Sequence, residues 1–72
     1  MKEENTKIRV ALFKGLEWLE AHPSETPKYF SQLEEKVEAF WGVAYEESDN
    51  KNIFSECEDI VRRCGRLVRY LN

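Results

Sequence analysis

The last twenty residues carry the most regular pattern in the chain and constrain its fold more than any other stretch. Apolar side chains recur there at alternating steps of four and three: Ile53, Cys57, Ile60, Cys64, Leu67 and Leu71. A parallel apolar row lies beside them, made of Phe54, Val61 and Val68. This spacing predicts a helix with one broad apolar face over about residues 53–71. Asn52 is the predicted N-cap, and the alternative is a later start capped by Ser55 and Glu58.

Two further helices are predicted before it. Over about residues 3–21 the apolar residues fall on one side of a helical wheel, and Pro23 ends that helix near Ala21. Thr26 and Pro27 then favour a new start, with the Thr26 hydroxyl as cap and proline in the first turn. This second helix is predicted over about residues 27–47, because its apolar stripe stays in phase over that range. The alternative is that Gly42 ends the helix earlier.

Three amphipathic helices joined by linkers of about five residues predict an all-α fold, a small antiparallel three-helix bundle in one domain, residues 1–72. Gly65 and Gly15 lie within the predicted helices. A glycine in a helix is favoured where two backbones approach closely, so both are predicted to mark helix crossings. On that hypothesis, Gly65→Leu destabilises the fold.

Composition limits the class of protein. The longest apolar run, residues 39–45, is far shorter than the roughly 20 residues of a membrane span. The first residues lack the apolar core of a signal peptide, so a cytoplasmic location is expected. Cys57 and Cys64 would lie about 10 Å apart on one helix, too far for a disulfide. They are predicted to be reduced, buried thiols.

No catalytic or metal-binding motif stands out. The single histidine, His22, precedes a proline at a predicted helix end, where it is expected to interact with the last carbonyls. Two cysteines and one histidine fall short of the four ligands of structural zinc. The chain is therefore predicted to be no enzyme and to use no cofactor or metal.

Charge is unevenly distributed, although the net charge is only −3. Residues 60–72 contain no acid and four arginines: Arg62, Arg63, Arg66 and Arg69. Residues 34–49 contain six acids: Glu34, Glu35, Glu38, Glu46, Glu47 and Asp49. We expect the two blocks to face each other, which would pair them within the molecule.

Three functional hypotheses follow. The first is a non-enzymatic protein-binding module of the adaptor, regulator or inhibitor type, which uses its charged helix faces: the four arginines with Tyr70, or Glu34, Glu35 and Glu38. The second is nucleic-acid binding through the arginine row. The third is a self-assembling subunit, such as a homodimer, that uses Val10 and Phe13, which lie off the apolar face of the first helix. The alternative for that pair is that a third element of the fold covers it.

Overall fold

The computed structural model describes residues 2–72, and the side chains from residue 3 onward. This part of the chain forms three α-helices: α1 (Lys2–Ala21), α2 (Thr26–Glu46) and α3 (Ile53–Val68). A short 3-10 helix, Pro23–Glu25, joins α1 to α2. The predicted small all-α three-helix bundle is confirmed. The second helix continues through Gly42, so the alternative of an earlier end there is wrong.

Ring contacts show the direction of the first two helices. Phe13 meets Phe40 edge to face at 6.3 Å, and Trp18 meets Tyr29 at 5.4 Å. Residue numbers rise along α1 as they fall along α2, so these helices are antiparallel. The chain reverses again after Glu46, and α3 runs alongside α1 in the same direction. The bundle is therefore up, down, up.

The turn between α1 and α2 follows from His22 and Pro23. The backbone at His22 leaves helical geometry, with φ −131° and ψ 62°. Its imidazole Nδ1 lies 2.9 Å from the Trp18 carbonyl oxygen, which confirms the expected contact with the end of the helix. The predicted Thr26 cap is wrong. Its buried hydroxyl donates to the Pro23 carbonyl at 2.7 Å, because the 3-10 turn moves the cap position to Glu25.

The bounds of α3 differ from the prediction at one end only. The helix begins at Ile53 as predicted, and Asn52 holds the N-cap position without a side-chain bond to the helix. It ends at Val68, three residues early. The backbone N–H groups of Tyr70 and Leu71 bond to carbonyls three residues back, so the chain tightens into a turn there.

The core receives three buried apolar side chains from each helix. They are Leu12, Leu16 and Leu19 of α1; Leu33, Phe40 and Val43 of α2; and Ile53, Ile60 and Leu67 of α3. Each such burial stabilises the fold by about 1.5–3 kcal/mol before conformational entropy is counted. Only one of the two apolar rows of α3 is in this core.

The two glycines predicted at crossings behave differently. A Cβ at Gly65 would meet no atom within 4 Å, so no helix crosses closely there and the predicted effect of Gly65→Leu loses its basis. Gly15 does face α2. A Cβ there would lie 3.7 Å from Leu33 Cδ1 and Lys36 Cδ, which is ordinary van der Waals contact.

Candidate functional site

A first ion-pair cluster ties the start of α3 to α1. Arg9 donates from Nε to Glu56 Oε2 at 3.0 Å and from Nη2 to Glu47 Oε1 at 2.9 Å. Its guanidinium also lies over the Phe40 ring, 5.7 Å from the centroid. The hydrogen bond from Arg9 holds the pKa of Glu47 below its usual value. Nothing in the sequence pattern singled out Arg9.

A second cluster ties the far half of α3 to α1. Arg63 donates to both carboxylate oxygens of Glu20, at 2.6 and 2.9 Å, and to Asp59 at 3.3 Å. Its guanidinium lies 5.7 Å from the centre of the Phe13 ring. The hydrogen bonds from Arg63 lower the pKa of Glu20. Arg63 and Phe13 therefore act within the molecule, and Phe13 is covered by α3, as one of the two hypotheses for it states.

These clusters fix how α3 is rotated about its own axis. Phe54 is two residues before Glu56, and Val61 is two residues before Arg63. Two residues turn a helix by about 200°, nearly to the opposite side. With Glu56 and Arg63 held on α1, the row of Phe54, Val61 and Val68 points away from it. These side chains are 71%, 59% and 46% exposed.

The exposed row is one half of a second apolar seam on α3. Phe54, Cys57, Val61, Cys64 and Val68 follow one another at steps of three and four, the spacing of a helix that packs on another helix. Both thiols are half-buried and free, so the prediction that they are buried is wrong. They lie on the border between the core row and the exposed row. Burial raises the pKa of both thiols, which is the opposite of an activated nucleophile.

The neighbouring side of α2 continues this apolar area. Val37 and Trp41 line one groove together with Cys64 of α3. Tyr45, one turn after Trp41, is 86% exposed. We call this area the α2–α3 surface, comprising Val37, Trp41, Tyr45, Phe54, Cys57, Val61, Cys64 and Val68. The sequence analysis does not predict the α2–α3 surface as a binding site, although the spacing of the second seam of α3 indicates an additional apolar face.

Acidic side chains lie on the α2 side of the α2–α3 surface, and its α3 edge carries two arginines and one glutamate. On α2, Glu34 and Glu38 line the groove beside Trp41. On α3, Arg62 and Arg69 directly follow Val61 and Val68, so they border the exposed row on its far side. Glu58 also lies on that edge, next to Val61 and Arg62.

The expectation that the arginines face the acids of α2 is wrong. Arg62 and Arg63 instead bind Asp59 of their own helix and Glu20 of α1. Within residues 2–72, the carboxylates of Glu34, Glu35 and Glu38 make no ion pair, and the same holds for two arginines, Arg66 and Arg69. The reason is geometric, because the arginine row lies on the back of α3, turned away from α2.

The remaining predicted site residues are scattered. Val10 on α1 is 44% exposed and is parted from Phe13, which lies under Arg63. Tyr70 follows the end of α3 and is about half exposed. Arg66 lies near Glu20, on the side of α3 that faces α1. The structure therefore does not gather these residues into one site.

Neither a metal-binding cluster nor a membrane-spanning helix is present among the described residues. From residue 2 to 72, no group of three or more His, Cys, Asp or Glu side chains could hold a metal ion. Within the same range, each helix is too short or too polar to cross a membrane. Comparison of the chain with protein-family models, curated protein sequences and solved structures gives no match.

Proposed function

We propose that this chain is a non-enzymatic protein-binding module whose contact area is the α2–α3 surface. The observation that carries the proposal is the exposed row of Phe54, Val61 and Val68 beside the exposed aromatic rings of Trp41 and Tyr45. Isolated exposed apolar residues are common, but a contiguous patch of this kind is typical of an interaction site.

The composition of the surface supports a protein partner. Aromatic side chains are enriched at the centres of protein interfaces, while charged side chains are depleted there and gather at the rim. Trp41 and Tyr45 contribute exposed aromatic rings to the α2–α3 surface, Glu34 and Glu38 line the groove beside Trp41, and Arg62 and Arg69 directly follow residues of the exposed row.

The charged faces alone support binding less well. Arg63 is used by the fold, and Arg62 is paired with Asp59. A phosphate backbone would therefore meet two arginines that make no ion pair with the described residues, Arg66 and Arg69, on a molecule of net charge −3. The proposed class of function is therefore the predicted one, but the proposed contact area is the apolar α2–α3 surface and not the charged helix faces.

Site-specific photo-cross-linking in the native host tests this proposal. A benzophenone amino acid replaces Val61, and in a matched control it replaces Glu17, an exposed residue on the outer side of α1. We expect protein adducts from position 61 that survive nuclease treatment and are absent from position 17. Equal adducts from both positions, or adducts that nuclease removes, would contradict the proposal.

A second variant separates the nucleic-acid alternative. Arg66→Glu together with Arg69→Glu removes these two arginines and leaves the apolar row intact. We expect salt-sensitive retention on nucleic acid to be absent from the parent protein and from this variant alike. Strong retention of the parent that the double substitution abolishes would favour the arginine row instead.

A further inference from the structure

We infer that the partner seated on the α2–α3 surface is a second copy of this chain, in a symmetric homodimer. The inference rests on the proposed function, since it names the occupant of the same surface. The distribution of apolar and charged groups over that surface is complementary to itself in one orientation.

The apolar row of α3 runs the length of the surface, but the aromatic rings and most of the charged side chains lie in different halves of it. Near the turn between α2 and α3 lie the rings of Tyr45 and Trp41 and, on α3, Phe54 and Val61. Farther from that turn, α2 presents Glu34 and Glu38, while the corresponding half of α3 is bordered by arginines.

The opposite charges lie at matching levels along the bundle. Cys64 of α3 lines the groove that Glu34 and Glu38 also line, so it lies alongside the part of α2 that carries these two residues. Arg62 is two residues before Cys64 and Arg69 is five after it, which are displacements of about 3 Å and 7.5 Å along the helix axis. Both distances are within reach of an arginine side chain.

Symmetry then selects one arrangement. A two-fold axis that lies in the interface parallel to the helices places α2 of one copy opposite α3 of its partner and keeps every level unchanged. Glu34 and Glu38 then face the edge that carries Arg69 and Arg62, twice per dimer, and Arg62 would exchange its exposed pair with Asp59 for a carboxylate of the partner. At the other end, Tyr45 and Trp41 meet the apolar seam of the partner.

The alternative in-plane axis, perpendicular to the helices, gives a poor match. It places α2 opposite α2 with the levels inverted, so Glu34 and Glu38 of each copy approach the aromatic rings of the other. Buried carboxylates without a cation are costly. The complementarity therefore favours antiparallel packing of each α2 on the α3 of the other copy.

Sedimentation equilibrium and light scattering test the dimer directly. We expect the parent protein to have twice the chain mass at high micromolar concentration. Val61→Lys should raise the dissociation constant at least about tenfold, since it places an unpaired charge in the interface. The side chain of Val61 is mostly exposed, so the variant keeps its fold, which circular dichroism verifies. Arg66→Glu is the matched control and should leave the dimer intact, because Arg66 lies on the side toward α1.

A charge exchange tests the orientation. Glu34→Arg with Glu38→Arg makes both edges basic, and Arg62→Glu with Arg69→Glu makes both edges acidic. We expect each variant alone to be at least about tenfold weaker as a dimer, and an equal mixture of the two to form a heterodimer. A mixture that stays monomeric would overturn the arrangement.

Other outcomes separate this inference from the proposed function. A parent protein that stays monomeric at every concentration, while position 61 still cross-links to a different protein, overturns the homodimer and leaves the protein-binding role. A dimer that Val61→Lys does not weaken also overturns the inference. Cross-linking of position 61 to a second copy of the chain supports both.

Discussion

At the scale of single residues, two adjacent arginines have different environments. Arg63 lies between α3 and α1, with its guanidinium shared by Glu20, Asp59 and the Phe13 ring. Arg62 is on the outside, and its partner is three residues back on the same helix. Charge-assisted hydrogen bonds between elements are worth more than an exposed pair within one helix.

We therefore expect Arg63→Met to lower the free energy of unfolding by about 1–2 kcal/mol, through loss of the bidentate contact to Glu20. Arg62→Met should change it by less than about 0.5 kcal/mol. Urea unfolding of each variant, at protein concentrations low enough to keep the chain monomeric, measures both changes in free energy. Equal losses from the two variants would mean that Arg63 does not tie the helices together.

At the scale of the helices, the surroundings of the glycines decide what each can become. A Cβ at Gly42 would meet no atom within 4 Å, whereas one at Gly15 would contact side chains of α2. Glycine in a helix interior costs about 0.5–1 kcal/mol relative to alanine.

We expect Gly42→Ala to raise the free energy of unfolding by about 0.5–1 kcal/mol, and Gly42→Leu to be tolerated. Gly15→Leu should destabilise the protein, since the larger side chain would force Leu33 and Lys36 to move. Thermal unfolding of the three variants provides the comparison. A Gly15→Leu protein as stable as Gly42→Leu would show that α1 and α2 are not closely packed there.

The helices themselves could be predicted because apolar period, proline and linker length are local signals. The apolar period predicts that α2 continues through Gly42 and that α3 starts at Ile53. Both predictions use only the residues of the helix itself and not the helices that pack against it. The end of α3 at Val68 was missed, because Leu71 continues the apolar step although the backbone has already tightened into a turn.

The candidate surface could be predicted only in part. Both rows of α3 are apolar and differ by one residue in phase, so the sequence pattern does not say how much of the combined face a three-helix bundle can cover. Arg9 and Arg63 determine which of the two rows is covered, because they fix the rotation of α3 through partners 38 to 47 residues away in the chain. Such pairings depend on the tertiary arrangement, which is why the charge pattern of the sequence alone wrongly predicts that the arginines face the acids of α2.

At the scale of the whole molecule, the two ion-pair clusters predict a loss of stability in acid. Arg63 lowers the pKa of Glu20 and Arg9 lowers that of Glu47 in the folded state. An unfolded chain has ordinary glutamates of pKa about 4.3, so it takes up protons first as the pH falls. The stabilisation from these ion pairs is complete above about pH 5 and is lost progressively as the pH falls below it.

We expect the urea concentration at the unfolding midpoint to decrease as the pH is lowered from 6 to 3. The double variant Glu20→Gln with Glu47→Gln should be less stable at pH 7 and should lose less on acidification. Glu35→Gln is the matched control, since Glu35 makes no ion pair with the described residues. A double variant with the acid response of the parent would remove these clusters as its cause.

The positions of the two tryptophans give the protein a pair of built-in optical reporters. Trp18 stacks on His22, meets Tyr29 edge to face and lines a groove between α1 and α2, whereas Trp41 is 39% exposed and lines the groove between α2 and α3. With Trp18→Phe, the emission of Trp41 should shift to shorter wavelength as the protein is concentrated. With Trp41→Phe, the emission of Trp18 should report unfolding and stay constant with concentration. One fluorimeter can therefore follow folding and association separately, without an added dye.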